Sequence, residues 1–172
     1  MNPTELTLLN TFEKYEKWIL DPLAEDVRRQ DRSQFNVFIV ISAAIDNLAS
    51  IRFLGEISHG AKDGVSKRYR KFIREYFHPK YAAFAKRLYT GFRCKLIHEF
   101  QLKGFDIRQD LASRSSHLST DSMGNVCINS ECLYEDLMSS FVKLREDMVG
   151  PKAKSEIVGS FSKTGHGYWF HT

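Results

Sequence analysis

Phe35-Asn36-Val37-Phe38-Ile39-Val40-Ile41-Ser42-Ala43-Ala44-Ile45-Asp46-Asn47-Leu48-Ala49-Ser50-Ile51-Arg52-Phe53-Leu54 is nearly all apolar. Its β-branched opening would suit a strand. The length, and the continuation through Ala44, Leu48 and Ile51 at helical spacing, favour a buried helix. Gly55 is the natural stop, with Gly60 close enough to compete. Asp46 falls inside this stretch, where a carboxylate requires a partner, so a structural hydrogen bond or salt bridge is its expected role. A membrane span needs ~20 apolar residues in a row. The best run, Phe35 to Ile45, is broken by Ser42, so no membrane association is expected.

Towards the N-terminus, Leu8, Leu9, Phe12, Tyr15 and Ile19 predict an amphipathic helix over 4–20, capped by Thr4. Asp21-Pro22 predicts a break and a restart, since Pro suits a first helical turn and Asp suits the cap. After a loop at 55–64, a short basic helix is expected over 65–77, with Tyr69, Phe72, Ile73 and Tyr76 inward. His78-Pro79 ends it, because a residue before Pro avoids the helical region. Phe84, Leu88, Phe92, Leu96 and Phe100 then recur at strict four-residue steps and read as the core stripe of a helix over 80–100.

Beyond Gly104 the chain is rich in turn residues. A short β-hairpin or an irregular loop is expected near 113–129, around Asp121-Ser122-Met123-Gly124-Asn125. Leu133, Leu137, Phe141 and Leu144 mark a last long helix over 132–148, stopped by Gly150-Pro151. The fold class is thus mainly all-α: a bundle of five to seven helices forming one domain over 1–150, with its core at 35–149. Residues 151–172 form a C-terminal tail, whose Tyr168, Trp169 and Phe170 either dock on the body or a second subunit, or fray.

With 172 residues and 42% apolar content, the chain can bury a sizeable core without disulfide staples. The start, Met1-Asn2-Pro3-Thr4-Glu5, has neither the basic segment nor the apolar stretch of a signal peptide, and a cytoplasmic location is expected. Cys94, Cys127 and Cys132 cannot all pair within one chain, which fits a reducing compartment. Cys127 and Cys132 lack a second pair at zinc-finger spacing, so neither a metal nor a cofactor is expected. Charge is unevenly spread. Between Lys62 and Lys103, twelve cations face only Asp63, Glu75 and Glu99, a net +9, while the remainder carries −5. Such asymmetry suits a polyanionic partner or, more blandly, a solvated helix face. Lys67, Arg70, Lys71 and Arg74 are the candidate RNA-contacting residues of the basic helix, their side chains expected in solvent.

The chain has no Gly-rich phosphate loop, no His-Glu-x-x-His and no Gly-x-Ser-x-Gly, which sets aside the common nucleotide, zinc-protease and serine-hydrolase readings. One constellation remains, Arg93-Cys94-Lys95-Leu96-Ile97-His98 near a helix end. In an α-helix, five residues leave two side chains ~140° apart around the axis, so Arg93 and His98 would flank one cleft without stacking on one ridge. A two-fold partner would bring two such sets together. The plainer role for both residues is a dimer-interface or helix-terminal network.

Arg93-x-x-x-x-His98 at the end of a helix resembles the signature of the HEPN superfamily (higher eukaryote and prokaryote nucleotide-binding domains). The likeness extends to Ala44-Ile45-Asp46-Asn47-Leu48-Ala49, Gly55 and Leu88-Tyr89-x-x-Phe92-Arg93-Cys94-x-Leu96-x-His98-Glu99, spanning roughly 35–100 plus the closing helix. The resemblance implies a helical homodimer with the paired motifs lining a shared groove. In catalytic members it implies metal-independent RNA cleavage, with a protein partner or a role in toxin–antitoxin systems or phage defence by analogy. It casts His98 as the proton-transfer group and Arg93 as the phosphate-holding one. Cys94 departs from the polar residue such members often carry after the Arg. A non-catalytic RNA- or protein-binding module is the alternative.

Overall fold

The computed structural model describes residues 3–29, 34–58, 60–99, 102–150 and 153–163. The chain enters as α1 (Pro3–Tyr15) and passes without interruption through a π-helical turn (Glu16–Leu20) into α2 (Asp21–Arg28). The expected break at Asp21-Pro22 does not occur. Proline has no amide hydrogen, so a continuous α-helix would leave a carbonyl one turn back without its donor. The π turn moves the register by one residue there, with the Asp21 amide donating to the Glu16 carbonyl, and the rod continues. Thr4 lies inside the first turn rather than capping it.

Helix α3 (Gln34–Phe53) fulfils the expectation for the apolar stretch. It packs against α2, against α4 (Gly64–Tyr76), and against the rod, long helix and last helix described below. By length and composition Phe35–Phe53 would be able to cross a membrane, contrary to the expectation that no segment would; 56% of it is buried in the bundle, as befits a core helix. The break at His78-Pro79 is present. A 3-10 turn (Pro79–Phe84) follows, then α5 (Ala85–Arg87), a π segment (Leu88–Cys94) and α6 (Lys95–Glu99), which together form one continuous helical rod. Leu88, Phe92 and Leu96 are buried along it and Phe84 is half-buried. Phe100 lies outside the described residues.

The β structure is parallel. Strand β1 (Phe105–Arg108) pairs in register with β2 (Val126–Asn129), Phe105 beside Val126 and Arg108 beside Asn129. Only β2 falls in the region read as a hairpin. The turn before it contributes a single antiparallel bridge, Thr120 to Val126, and residues 111–116 form a 3-10 helix instead. Asn129 closes this unit. Its side-chain amide donates to the Asp110 carbonyl and the Ser113 hydroxyl, while its oxygen caps α7 (Ser130–Met148) at the Cys132 amide. The bundle also extends past residue 150, within the segment read as a tail. Helix α8 (Ser155–Lys163) packs on α3 and α7 and buries Ile157. The tail aromatics Tyr168, Trp169 and Phe170 lie outside the described residues. Counting contiguous rods and the 3-10 helix 111–116, seven helical bodies are described, within the expected range.

A partly buried polar chain ties the 3-10 helix to α7. His117 Nδ1 accepts the Asn129 amide hydrogen (3.0 Å), its Nε2 contacts the Tyr81 hydroxyl (2.7 Å), and Tyr81 donates to Asp136 (2.8 Å). With Nδ1 accepting and the Tyr81 hydrogen directed to Asp136, the imidazole proton lies on Nε2. Burial, assisted by the Arg114 charge, depresses the His117 pKa to about 4. An unfolded imidazole titrates near ~6.5. The neutral ring therefore contributes stability that is complete above that value and is lost as pH falls towards the folded pKa. Unfolding free energy should decline from pH ~7 to ~5, within a total of no more than about 3 kcal/mol, and His117→Gln should flatten that decline in urea titrations at each pH.

Candidate functional site

Asp46 projects from α3 and Arg93 from the π segment, and the two meet as an ion pair, Arg93 Nη2 to Asp46 Oδ2, at 2.5 Å with both side chains about four-fifths enclosed. The partner that the buried carboxylate requires is thus the motif arginine. Partial burial works against the guanidinium charge, yet the hydrogen bond and attraction of Asp46 outweigh it and raise the Arg93 pKa above its ordinary value. The group is a fixed cation. Arg93 also lies over the Tyr89 ring at 5.7 Å, and Tyr89 in turn leans on the fully buried Tyr69 of α4 at 5.5 Å. Burial first, and the neighbouring Cys94 after it, push the Tyr89 hydroxyl pKa up.

Arg93 Nη1 comes within 3.4 Å of His98 Nε2, and His98 is exposed. The two groups touch, which the α-helical count did not foresee. Arg93 belongs to a π segment, whose wider turn carries each residue through fewer degrees than an α-helix does. The length of the arginine side chain covers the rest. At 3.4 Å the contact is long for a hydrogen bond, and its sense is fixed: a guanidinium only donates, so a bond here uses Nε2 as acceptor. Arg93 Nε is enclosed without a hydrogen-bond partner among the described residues. The cluster thus holds one oriented cation beside one open imidazole, an arrangement fit to bind an anionic oxygen and to exchange a proton near it.

The basic helix is less uniform than its sequence implied. Lys67 and Arg74 are exposed and form no ion pair among the described residues, and Arg70 Nε donates to the Ser66 carbonyl. Lys71 is tied down: it pairs with Glu56 at 2.5 Å, approaches Glu75 at 3.9 Å and lies over the Phe53 ring. Glu56 also holds Arg52, whose Nε donates to Tyr76, which donates to Asp147. Lys71 is therefore part of a bracket joining α3, α4 and α7 rather than a free cation. Arg68 is buried to 1% exposure and donates to the carbonyls of Ile57 and Ser58, pinning the preceding loop. None of Lys67, Arg70, Lys71 and Arg74 makes a hydrogen bond or ion pair with the motif residues. Sequence reasoning did not identify Tyr89 and Tyr69 as the aromatic backing of Arg93; only the step of four from Tyr89 to Arg93 hinted at it.

Cys94 and Cys132 are half-buried and Cys127 is buried, all as free thiols. Among the described residues, no three His, Cys, Asp or Glu side chains are grouped to hold a metal ion. No family model, no curated protein and no solved structure matches the chain.

The ion pair and the imidazole should separate cleanly in stability measurements. Asp46→Asn leaves a partly enclosed guanidinium without its counter-charge and should lower the unfolding free energy by about 1–3 kcal/mol. His98→Ala, at an exposed position, should change it by less than about 0.5 kcal/mol in the same urea titrations.

Proposed function

We propose that the chain is a HEPN-like, RNA-associated protein whose Arg93–His98 site performs metal-independent endonucleolytic cleavage, acting as a two-fold homodimer. The observation that supports this best is the Asp46–Arg93–His98 sequence of contacts, which orients a cation beside an open imidazole at the end of one helical rod. In the reaction, His98 takes the proton of a ribose 2′-hydroxyl while the 2′-oxygen bonds to the adjacent phosphorus. Negative charge grows on the non-bridging oxygens, where Arg93 meets it. The bond from phosphorus to the 5′-oxygen breaks, and that oxygen takes a proton from the imidazolium that a two-fold dimer supplies across the groove. The products are a 2′,3′-cyclic phosphate and a 5′-hydroxyl end.

The competing reading is a non-catalytic RNA- or protein-binding module. One observation favours it: Asp46 already neutralises Arg93. Incubation of end-labelled single-stranded RNA in EDTA decides between the two. Wild type should yield cyclic-phosphate ends, and His98→Ala should slow cleavage by ~10²–10⁴-fold while retaining affinity within a few-fold, because proton transfer matters in the transition state more than in the complex. Intact RNA after prolonged incubation with wild type leaves the binding module standing. Light scattering that finds only monomer at micromolar concentration removes the dimer from the proposal.

Among the basic-helix residues, Lys67, Arg70 and Arg74 remain the proposed RNA contacts. Arg74→Glu should weaken RNA binding without loss of stability. Lys71→Glu breaks the Glu56 bracket and should lower the thermal midpoint as well, which thermal scans of the two variants will register.

A further inference from the structure

Across from the ion pair, the same helical rod borders a second feature. A cavity of about 500 Å³ is lined by Arg87, Thr90, Gly91, Lys95, Lys103 and Gly104. Three of the six are cations and none is an acid. Among the described residues, the exposed Lys103 has no ion-pair partner and Lys95 pairs with Glu99 alone, an exposed i,i+4 pair that contributes little. Arg87 is preorganised. Its Nη2 donates at 2.8 Å to the carbonyls of both Gly104 and Gly124, and its guanidinium lies over the Phe105 ring at 5.6 Å. Among the described residues, Nε and Nη1 meet no hydrogen-bond acceptor.

The floor of the cavity is glycine for a steric reason. A Cβ on Gly91 would sit 2.6 Å from the Lys103 carbonyl oxygen, and one on Gly104, where φ is +80°, would sit 2.8 Å from Arg87 Nη2. The two glycines let the 103–104 turn press against the rod, with the Lys103 amide donating to the Gly91 carbonyl. This holds Lys103 beside Arg87 and Lys95. Three like charges are thereby held around one concavity whose described lining contains no carboxylate, Glu99 pairing with Lys95 alone. Such an arrangement is compensated by an anion entering the hollow, and a tetrahedral oxyanion matches a guanidinium edge flanked by ammonium groups.

We infer that the Arg87–Lys95–Lys103 cavity is a phosphate-binding site, which, if the RNA reading above holds, receives a backbone phosphate of the bound strand away from the Arg93–His98 site. The experiment has two arms, so that the cavity and the RNA reading can fail separately. In the first, inorganic phosphate is titrated against amide resonances at constant ionic strength, with chloride as control. Shifts should concentrate at residues 87–95 and 102–105, and Lys103→Glu should weaken the response at least ~10-fold, while Lys17→Glu, the same charge change on the π turn after α1, should not. In the second arm, binding of labelled single-stranded RNA is followed against salt. Lys103→Ala should reduce the slope of log affinity on log salt by about one. Localised phosphate shifts without RNA binding keep the cavity and remove its RNA ligand. RNA binding indifferent to Lys103, with phosphate shifts absent or scattered, overturns the cavity and leaves the RNA reading intact. Circular dichroism of each variant guards against misfolding, since Lys103 has no ion-pair partner among the described residues to lose.

Discussion

Helix α3 is apolar on all sides and has to be enclosed, yet it carries two charged residues, Asp46 and Arg52, that enclosure makes costly. Both solutions determine what lies next to it. Asp46 requires a cation from outside the helix, and Arg93 of the π segment supplies it. Arg52 requires acceptors, and Glu56, Tyr76 and through it Asp147 supply them, fixing α4 and α7 at the far end of α3. Apolar packing alone would tolerate sliding of these helices over one another. The two charge clamps, one towards each end of the buried half of α3, give the bundle a register. The proposed site is in this sense a by-product of the core: Arg93 is oriented because α3 needs it.

Much of the frame was legible from the residues. The length of the 35–54 run settled helix over strand, His78-Pro79 marked a true boundary, and Leu88, Phe92 and Leu96 turned inward as their spacing implied. The requirement that Asp46 find a partner was also legible, although its identity was not, since pairing across 47 residues leaves no trace in local pattern. Both π segments were invisible for a related reason. A π turn has no residue signature of its own, and it arises where tertiary packing or a proline demands a one-residue offset. The parallel pairing of β1 with β2 is likewise nonlocal, and the turn-rich sequence before β2 imitated a hairpin.

Charge was the least reliable guide. Arg68 and Lys71 belong to the basic helix by sequence, but one pins a loop from inside the core and the other closes a bracket. Counting cations along a helix overstates what is free to meet a polyanion, because acidic residues from other elements, here Glu56 from beyond α3, can come to lie beside them. Lys67 and Arg74 on α4, Lys103 in the turn after α6 and part of Arg87 on α5 are among the cations that meet no carboxylate among the described residues.

The π segment links these threads. A π turn sacrifices favourable α-helical hydrogen-bond geometry and persists only where neighbours hold it. Here the neighbours are specific: Phe92, in its centre, packs edge-on against both Phe38 of α3 and Phe105 of β1. Both contacts are made by the single Phe92 ring, which joins the rod to the core helix and to the small sheet at one point. The offset lets a single short stretch face the core with Phe92, Asp46 with Arg93, and the Lys103 turn with Gly91. The sequence Leu88–Cys94 is thus held by the core, by Asp46 and by the Lys103 turn at once, and Gly91 and Phe92 take part in fixing the segment that carries Arg93.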